Sequence, residues 1–467
     1  MSHSSAAVPG DPMGSGVRYN AAACDLGSHR PTGRTTSHWD AVALRDRLGL
    51  PRLGGSGVLL VAVLVDATGS GLWAPFALLY FHLVAGLSLS AIGAALSIAA
   101  VFTIPMAFVA GALVDRFGAR RIVLAAQLIQ GLGFLVYPHV HDVWGMIPAT
   151  AVTAVGNRLF WSSYFTLIAE IARPDERDRW YGLVGSARNV GYALGGLSAG
   201  LLVGVAATDG YRVLVLVNAA SFLVAAALVG WSGRSLRWSR RSDDSPSPQP
   251  APAGGQRSSS SYAMLIRDRP FLVLIAANTL FAVCSIMLGV GVPVYAVLTL
   301  RIPAWAIGLL FASNTVLLGL TQTFVVRGLE PHRRTRALVL AGALWCVWSV
   351  LLGLALGVPR SVLPFYVLAV TVIYTLAELI HAPTSNALAA AAAPDEQRGR
   401  YLAVFQLSWT TATLVSPILF TSLFTLEPAI PWLIVGLFAC VASVAMVWLE
   451  ARLPRQAVRS SAVTALH

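Results

Sequence analysis

From residue 57 to residue 450 the sequence is a succession of long apolar runs separated by short, arginine-bearing connectors. A helix needs about 20 apolar residues to cross ~30 Å of hydrocarbon. In lipid the backbone must satisfy its own polar groups, which leaves helices and closed barrels as the options. Runs of this length without strand-like alternation predict helices. Only 12% of residues are charged and 56% are hydrophobic, whereas soluble domains carry roughly 25% charged residues. The mean hydropathy of +0.69 agrees. The fold expected is an all-α membrane protein.

Twelve spans are predicted: 57–82, 90–113, 121–139, 146–170, 181–206, 212–231, 271–299, 304–326, 336–357, 361–386, 402–425 and 430–450. They fall into two six-helix bundles, 53–231 and 271–451. Between them, 232–270 is rich in Ser, Pro and Arg, cannot bury a core and reads as a flexible linker. Residues 1–52 have no apolar signal-peptide core. They read as a disordered tail ending in a short surface helix, "WDAVALRDRLGLPR", and 452–467 as a second tail.

The net charge of +12 comes from arginine, since the chain has no lysine. Such a balance can signal nucleic-acid binding, but these arginines sit in connectors and act as topology signals. Connectors 2–3, 4–5, 8–9 and 10–11 and the linker carry most of them, and the alternate loops hold single arginines at 212, 301 and 360. Both termini are therefore expected in the cytoplasm, with the chain in the cell membrane and no nucleic-acid partner. The four cysteines show neither metal spacing nor a disulfide framework.

An internal echo supports the two-bundle division. "RPDERDRWYG" (173–182) follows span 4 and "APDEQRGRYLA" follows span 10, at equivalent places in each half. Parallel repeats of this kind are a layout of transporters, with the substrate site near the midplane.

Several residues are misfits in lipid. Asp66 interrupts "GVLLVAVLVDATGSGLWAPF" about nine residues, or ~13 Å, into span 1. Gly69, Ser70 and Trp73 share its face. Arg158 lies near the middle of span 4, where an arginine calls for an acidic partner or a watery cavity. It is the expected partner of Asp66. Glu378 in span 10 precedes Pro383, and His381 follows it on the same face, positioned to accept a proton or a hydrogen bond. Arg188 in span 5 lies two turns inside the cytoplasmic end, where it can snorkel or touch substrate. Asn189, Asn278, Asn314, Gln322, Thr410 and Thr411 either line a cavity or bond helix to helix. Trp73, Phe76, Trp161, Tyr164, Tyr374 and Trp409 suit a cavity for flat apolar ligands.

"GALVDRFGARR" (111–121) resembles the signature between the second and third helices of the major facilitator superfamily. Gly111 would allow close helix packing and Gly118 a tight turn. The resemblance implies a gating latch made of Asp115, Arg116, Arg120 and Arg121, with Asp115 meeting the start of span 11 and Glu170 nearby. The second-half counterpart, "VVRGLEPHRR" (325–334), is degenerate. In span 5, Gly182, Gly191, Gly195 and Gly200 match the glycine spacings of the family's antiporter motif, although Gly196 replaces its usual proline. Arg158 matches the span-4 arginine, and the span-10 stretch is similar to that of bacterial drug:proton antiporters.

The resemblance implies a twelve-helix transporter working by alternating access, expected as a monomer in the bilayer. No phosphate-binding loop or catalytic constellation is present, so no enzyme activity and no cofactor is expected, and an ion gradient would drive transport. The expected activity is proton-coupled export of small hydrophobic or amphiphilic compounds, because a carboxyl group in a low-dielectric bundle can trade its proton for a substrate. Asp66 and Glu378 would carry the proton, with Arg158 tuning them. An importer or uniporter of a small metabolite is the alternative, and a non-transporting membrane scaffold or sensor a third.

Overall fold

The computed structural model describes residues 57–172, 176–235, 265, 267–329 and 331–459. The N-terminal tail, with the surface helix expected in it, and most of the linker lie outside them. Among the described residues, eleven helices are long and apolar enough to cross a membrane. They are α1 (Gly57–Leu83), α2 (Leu89–Met106), α3 (Ala119–His139), α5 (Arg179–Ala206), α6 (Thr208–Ser232), α7 (Arg269–Thr299), α8 (Ala304–Leu329), α9 (Arg334–Gly357), α10 (Leu363–Ala392), α11 (Arg398–Leu426) and α12 (Ile430–Glu450). Between α3 and α5 lies α4 (Val143–Ile171), a further helix of 29 residues. It is long enough to cross, with Asn157, Arg158, Ser162 and Ser163 interrupting its apolar run.

Asp142 caps the start of α4, its carboxylate accepting the Gly145 amide, and Asp268 caps α7 through the Phe271 amide. Helical structure runs without a break from Arg177 to Ser235, yet α5 and α6 fold back on each other. A Cβ at Gly210 would stand 2.9 Å from the Leu202 carbonyl oxygen, whereas eight residues of straight helix separate those positions by ~12 Å. Beyond the last span, the short helix α13 (Arg455–Val458) occupies part of the expected C-terminal tail.

The two halves pack alike. In the first, α1 lies on α5 and α6, α3 on α4 and α6, and α2 on α4; in the second, α7 lies on α11 and α12, α9 on α10 and α12, and α8 on α10. Pro75 and Pro293 break α1 and α7 near the same end, through the turns Ala74–Phe76 and Val292–Val294. The halves meet chiefly through α2 against α11 and α5 against α8.

These two crossings are also matched in sequence. Gly93 in "AIG" (91–93) faces α11, where a Cβ would stand 2.8 Å from the Pro417 carbonyl oxygen and 1.9 Å from Thr421 Oγ1. Gly308 in "AIG" (306–308) faces α5, where a Cβ would stand 2.4 Å from the Gly196 carbonyl oxygen. Only a residue without a side chain lets the backbones approach so closely. Both contacts lie toward the arginine-poor end of the bundle, so that end is closed.

Candidate functional site

Among the described residues of the first half, the buried carboxylate is Asp66, 5% exposed on α1. The Gln127 side chain of α3 is within hydrogen-bonding reach of it, and the guanidinium acting on it electrostatically is that of Arg188 on α5. Arg188 lies across the Trp161 ring, its Cζ 3.9 Å from the centroid, and 5.4 Å from that of Tyr192. Such stacking holds an arginine with little loss of its charge. Trp161 is part of an aromatic ladder on α4 with Phe160, Tyr164 and Phe165.

The expected pairing of Asp66 with Arg158 is therefore corrected. Arg158 is exposed and makes no ion pair among the described residues. It stands one turn from Trp161 on the α4 face that also carries Ser162, while Leu159, Phe160 and Ser163 are buried. Depth in the span was legible; the rotation of α4 was not.

The second half answers with two polar clusters. Glu378 on α10 is half-buried, and its Oε2 accepts Asn314 Nδ2 at 3.2 Å. Asn314 also donates to Thr375 Oγ1 at 3.0 Å, and Ser285 is within reach of the carboxylate. One turn on, the fully buried His381 bonds through Nε2 to Asn278 Oδ1 at 3.0 Å, and Asn278 donates to Ser408 Oγ at 2.6 Å. Phe281, Trp345 and Trp409 surround the imidazole. Thus His381 and Glu378, expected on one face, belong to neighbouring but separate networks.

The sequence echo places these clusters in register. The constant offset that aligns Pro174 with Pro394 and Tyr181 with Tyr401 also carries Arg158 to Glu378, Trp161 to His381 and Arg188 to Ser408. Between the halves a cationic position is thus acidic, an aromatic one is an imidazole and a second cationic one is a hydroxyl.

Other expected residues fall elsewhere. Trp73 packs edge-on against Tyr80, Phe81 and Phe134, and Tyr374 is buried with its hydroxyl donating to the Ser285 carbonyl. Both build the core rather than a cavity wall. Phe76 is likewise fully buried. Tyr164 is buried and stacked on Phe160, Trp409 is half-buried, and Asn189 faces Gly319 across the α5–α8 crossing.

The glycines of α5 divide their work. A Cβ at Gly191 would stand 2.9 Å from the Leu64 carbonyl oxygen and one at Gly195 2.2 Å from that of Thr68, so these two seat α5 on α1. Gly200 instead meets Ala304 and Gly308 of α8, across the two halves. Gly182 has nothing close to it, which removes it from the packing face.

The expected latch at the arginine-rich end is also redistributed. Gly118 turns the chain with φ +82°, but Gly111 has open space around it and does not serve close packing. Asp115, Arg116, Arg121 and Glu170 are exposed, and none forms an ion pair among the described residues. Arg120 bonds the Val229 and Gly230 carbonyl oxygens at 2.9 Å, binding the start of α3 to the end of α6 in its own half. Arg334 at the start of α9 does the same to the Ala457 carbonyl of α13, also at 2.9 Å. A cation at helix-terminal carbonyls satisfies acceptors that lack an intrahelical partner. Glu450, which the sequence reading passed over, collects Arg333, Arg336 and Thr335 at the same end of the second half. Gln127 and Asn218 also escaped it; a buried amide in an apolar span was the available signal.

Two helical bundles that meet at one end, each with buried polar groups at mid-span, define a membrane transporter of the two-half type. The family model of the Major Facilitator Superfamily matches residues 58–329, and the chain belongs to that family. A Na(+), Li(+), K(+)/H(+) antiporter of Planococcus maritimus is 22% identical over 406 residues, covering 80% of this chain and 91% of the relative. Multidrug resistance protein MdtH of Escherichia coli (strain K12 / DH10B) is 21% identical over 345 residues, covering 72% and 80%. Among solved structures, the peptide transporter POT in complex with sulfate superposes with a TM-score of 0.67 at 16% identity, over 88% of this chain and 98% of the other. The nucleoside transporter NupG gives 0.65 at 11% identity, over 84% and 98%. The protein is a multi-pass membrane transporter and not an enzyme.

Proposed function

We propose that this transporter is a proton-coupled antiporter that exports small hydrophobic or amphiphilic compounds across the cell membrane. The observation that carries the reading is Asp66, a carboxylate buried at mid-span beside the aromatic-stacked Arg188. A group so placed exchanges a proton for a cationic or amphiphilic ligand, because ionising it unpaired in a low-dielectric bundle is costly. Glu378 offers a second proton-binding group across the midplane, and Trp161 with Tyr164 an apolar wall. The multidrug protein and the cation/proton antiporter among the relatives support both parts of the reading.

The arginine-rich end is read as cytoplasmic. With the opposite end closed by Gly93 and Gly308, substrate for export loads from the cytoplasmic end, and the protein works as a monomer. Everted membrane vesicles test this: acidifying their interior should drive uptake of a lipophilic dye cation. Dye uptake that ignores the pH gradient would overturn the proton-coupled reading.

A further inference from the structure

Two amide side chains beside Asp66 carry atoms that nothing in the protein satisfies. They are Gln127, with Oε1 unpartnered, and Asn218, with both Oδ1 and Nδ2 unpartnered; they are 2% and 0% exposed. Buried polar atoms of native proteins are nearly always bonded, so orphans of this kind point to a ligand. Gln127 on α3 lies beside Asp66. Asn218 on α6 lies against Gly69, one turn from Asp66 on the same face of α1. A Cβ there would stand 2.9 Å from Asn218 Oδ1 and 1.8 Å from Ser221 Oγ. The missing side chain of Gly69 thus leaves the space that admits the amide and the hydroxyl.

The donor set is one carboxylate, two amide carbonyls and a hydroxyl, all hard oxygens of the kind that bind alkali and alkaline-earth cations. No group of three His, Cys, Asp or Glu side chains occurs among the described residues. One negative charge neutralises a monovalent ion, whereas a divalent ion would keep a net charge in a low-dielectric bundle. Arg188 is the cation already facing the carboxylate, but it is held on Trp161 and Tyr192 and makes no ion pair with Asp66 among the described residues. The other titratable groups within electrostatic reach are Tyr164 and Tyr192.

We propose that Asp66, Gln127 and Asn218 form a binding site for a small alkali-metal cation, Na+ or Li+. The cation enters as the Asp66 carboxyl releases its proton, so one positive charge replaces another and nothing is oxidised or reduced. The site rests on the antiport reading, because it names a second ligand of the same carboxylate.

The test uses the purified full-length protein in a mildly acidic, weakly buffered solution, so that the Asp66 proton is there to be displaced. Na+ or Li+ should release protons and raise the thermal midpoint saturably, and choline at equal ionic strength should do neither. Asn218→Leu and Gln127→Met should each weaken the effect about tenfold or more, as loss of a supporting group does in metal sites. Asp66→Asn should abolish it. Identical responses to Na+ and choline would overturn the site and leave the orphan atoms to water, and this comparison needs no variant to fold. Dye export is measured separately. Its failure with cation binding intact would remove the export reading alone, and the converse result would remove only the site.

Discussion

Arg188 holds its guanidinium carbon 3.9 Å from the centre of the Trp161 ring, and from there its charge acts on Asp66. The ring fixes the arginine near the acid without closing an ion pair, which leaves the carboxylate available to another cation. A half-buried contact of this kind is worth about 1–2 kcal/mol. Arg188→Leu is expected to insert and fold but to lower dye export at least about tenfold, the factor that ~1.4 kcal/mol represents. Arg188→Lys should fall between the two, since a compact ammonium stacks less well. Export by Arg188→Leu at the wild-type rate would remove the residue from the site.

Gly308 is the tightest point of the α5–α8 crossing, with the Gly196 carbonyl 2.4 Å from where its Cβ would be. Gly308→Val should wedge that end open. A cysteine placed at Ala304, beside Gly200 in the same crossing, should then react faster with a membrane-impermeant maleimide. Unchanged labelling would show that the crossing does not gate the arginine-poor end.

Two glycines of one motif should behave oppositely. Gly118 adopts φ +82°, where a side chain is strained, while Gly111 has open space. Gly118→Ala is expected to destabilise by about 1–2 kcal/mol, and Gly111→Ala to stay within about 0.5 kcal/mol. Thermal midpoints of the two purified variants decide, and equal losses would contradict the assignment.

Glu450 ties α12 to the start of α9 through Arg333, Arg336 and Thr335. Glu450→Gln should cost about 1–3 kcal/mol, as expected for lost hydrogen bonds to a charged group. A thermal midpoint unchanged by the substitution would show that the cluster is not a structural tie.

Much of the fold was legible because lipid imposes simple rules on length and polarity. The long apolar runs and the Pro-Asp-Glu echo gave the helices and their repeat, and the turn at Gly118 followed from its residue type. What a span's sequence does not state is how far each helix is rotated. Arg158 and Arg188 are both arginines inside apolar spans, and only packing turned the second toward Asp66. Gln127 and Asn218 passed unnoticed in apolar spans, and only their burial without a partner marked them. The latch residues separated for a similar reason: Arg120 found carbonyls in its own half, which no charge pattern announces.

The central claim is that Asp66 couples substrate movement to protons. It is tested most directly in proteoliposomes carrying an imposed pH gradient, with proton flux followed as a lipophilic dye cation is added. The account predicts that the dye collapses the gradient through the wild-type protein, and that Asp66→Asn, reconstituted at equal density, abolishes the flux. Proton flux through Asp66→Asn equal to that of the wild type would contradict it.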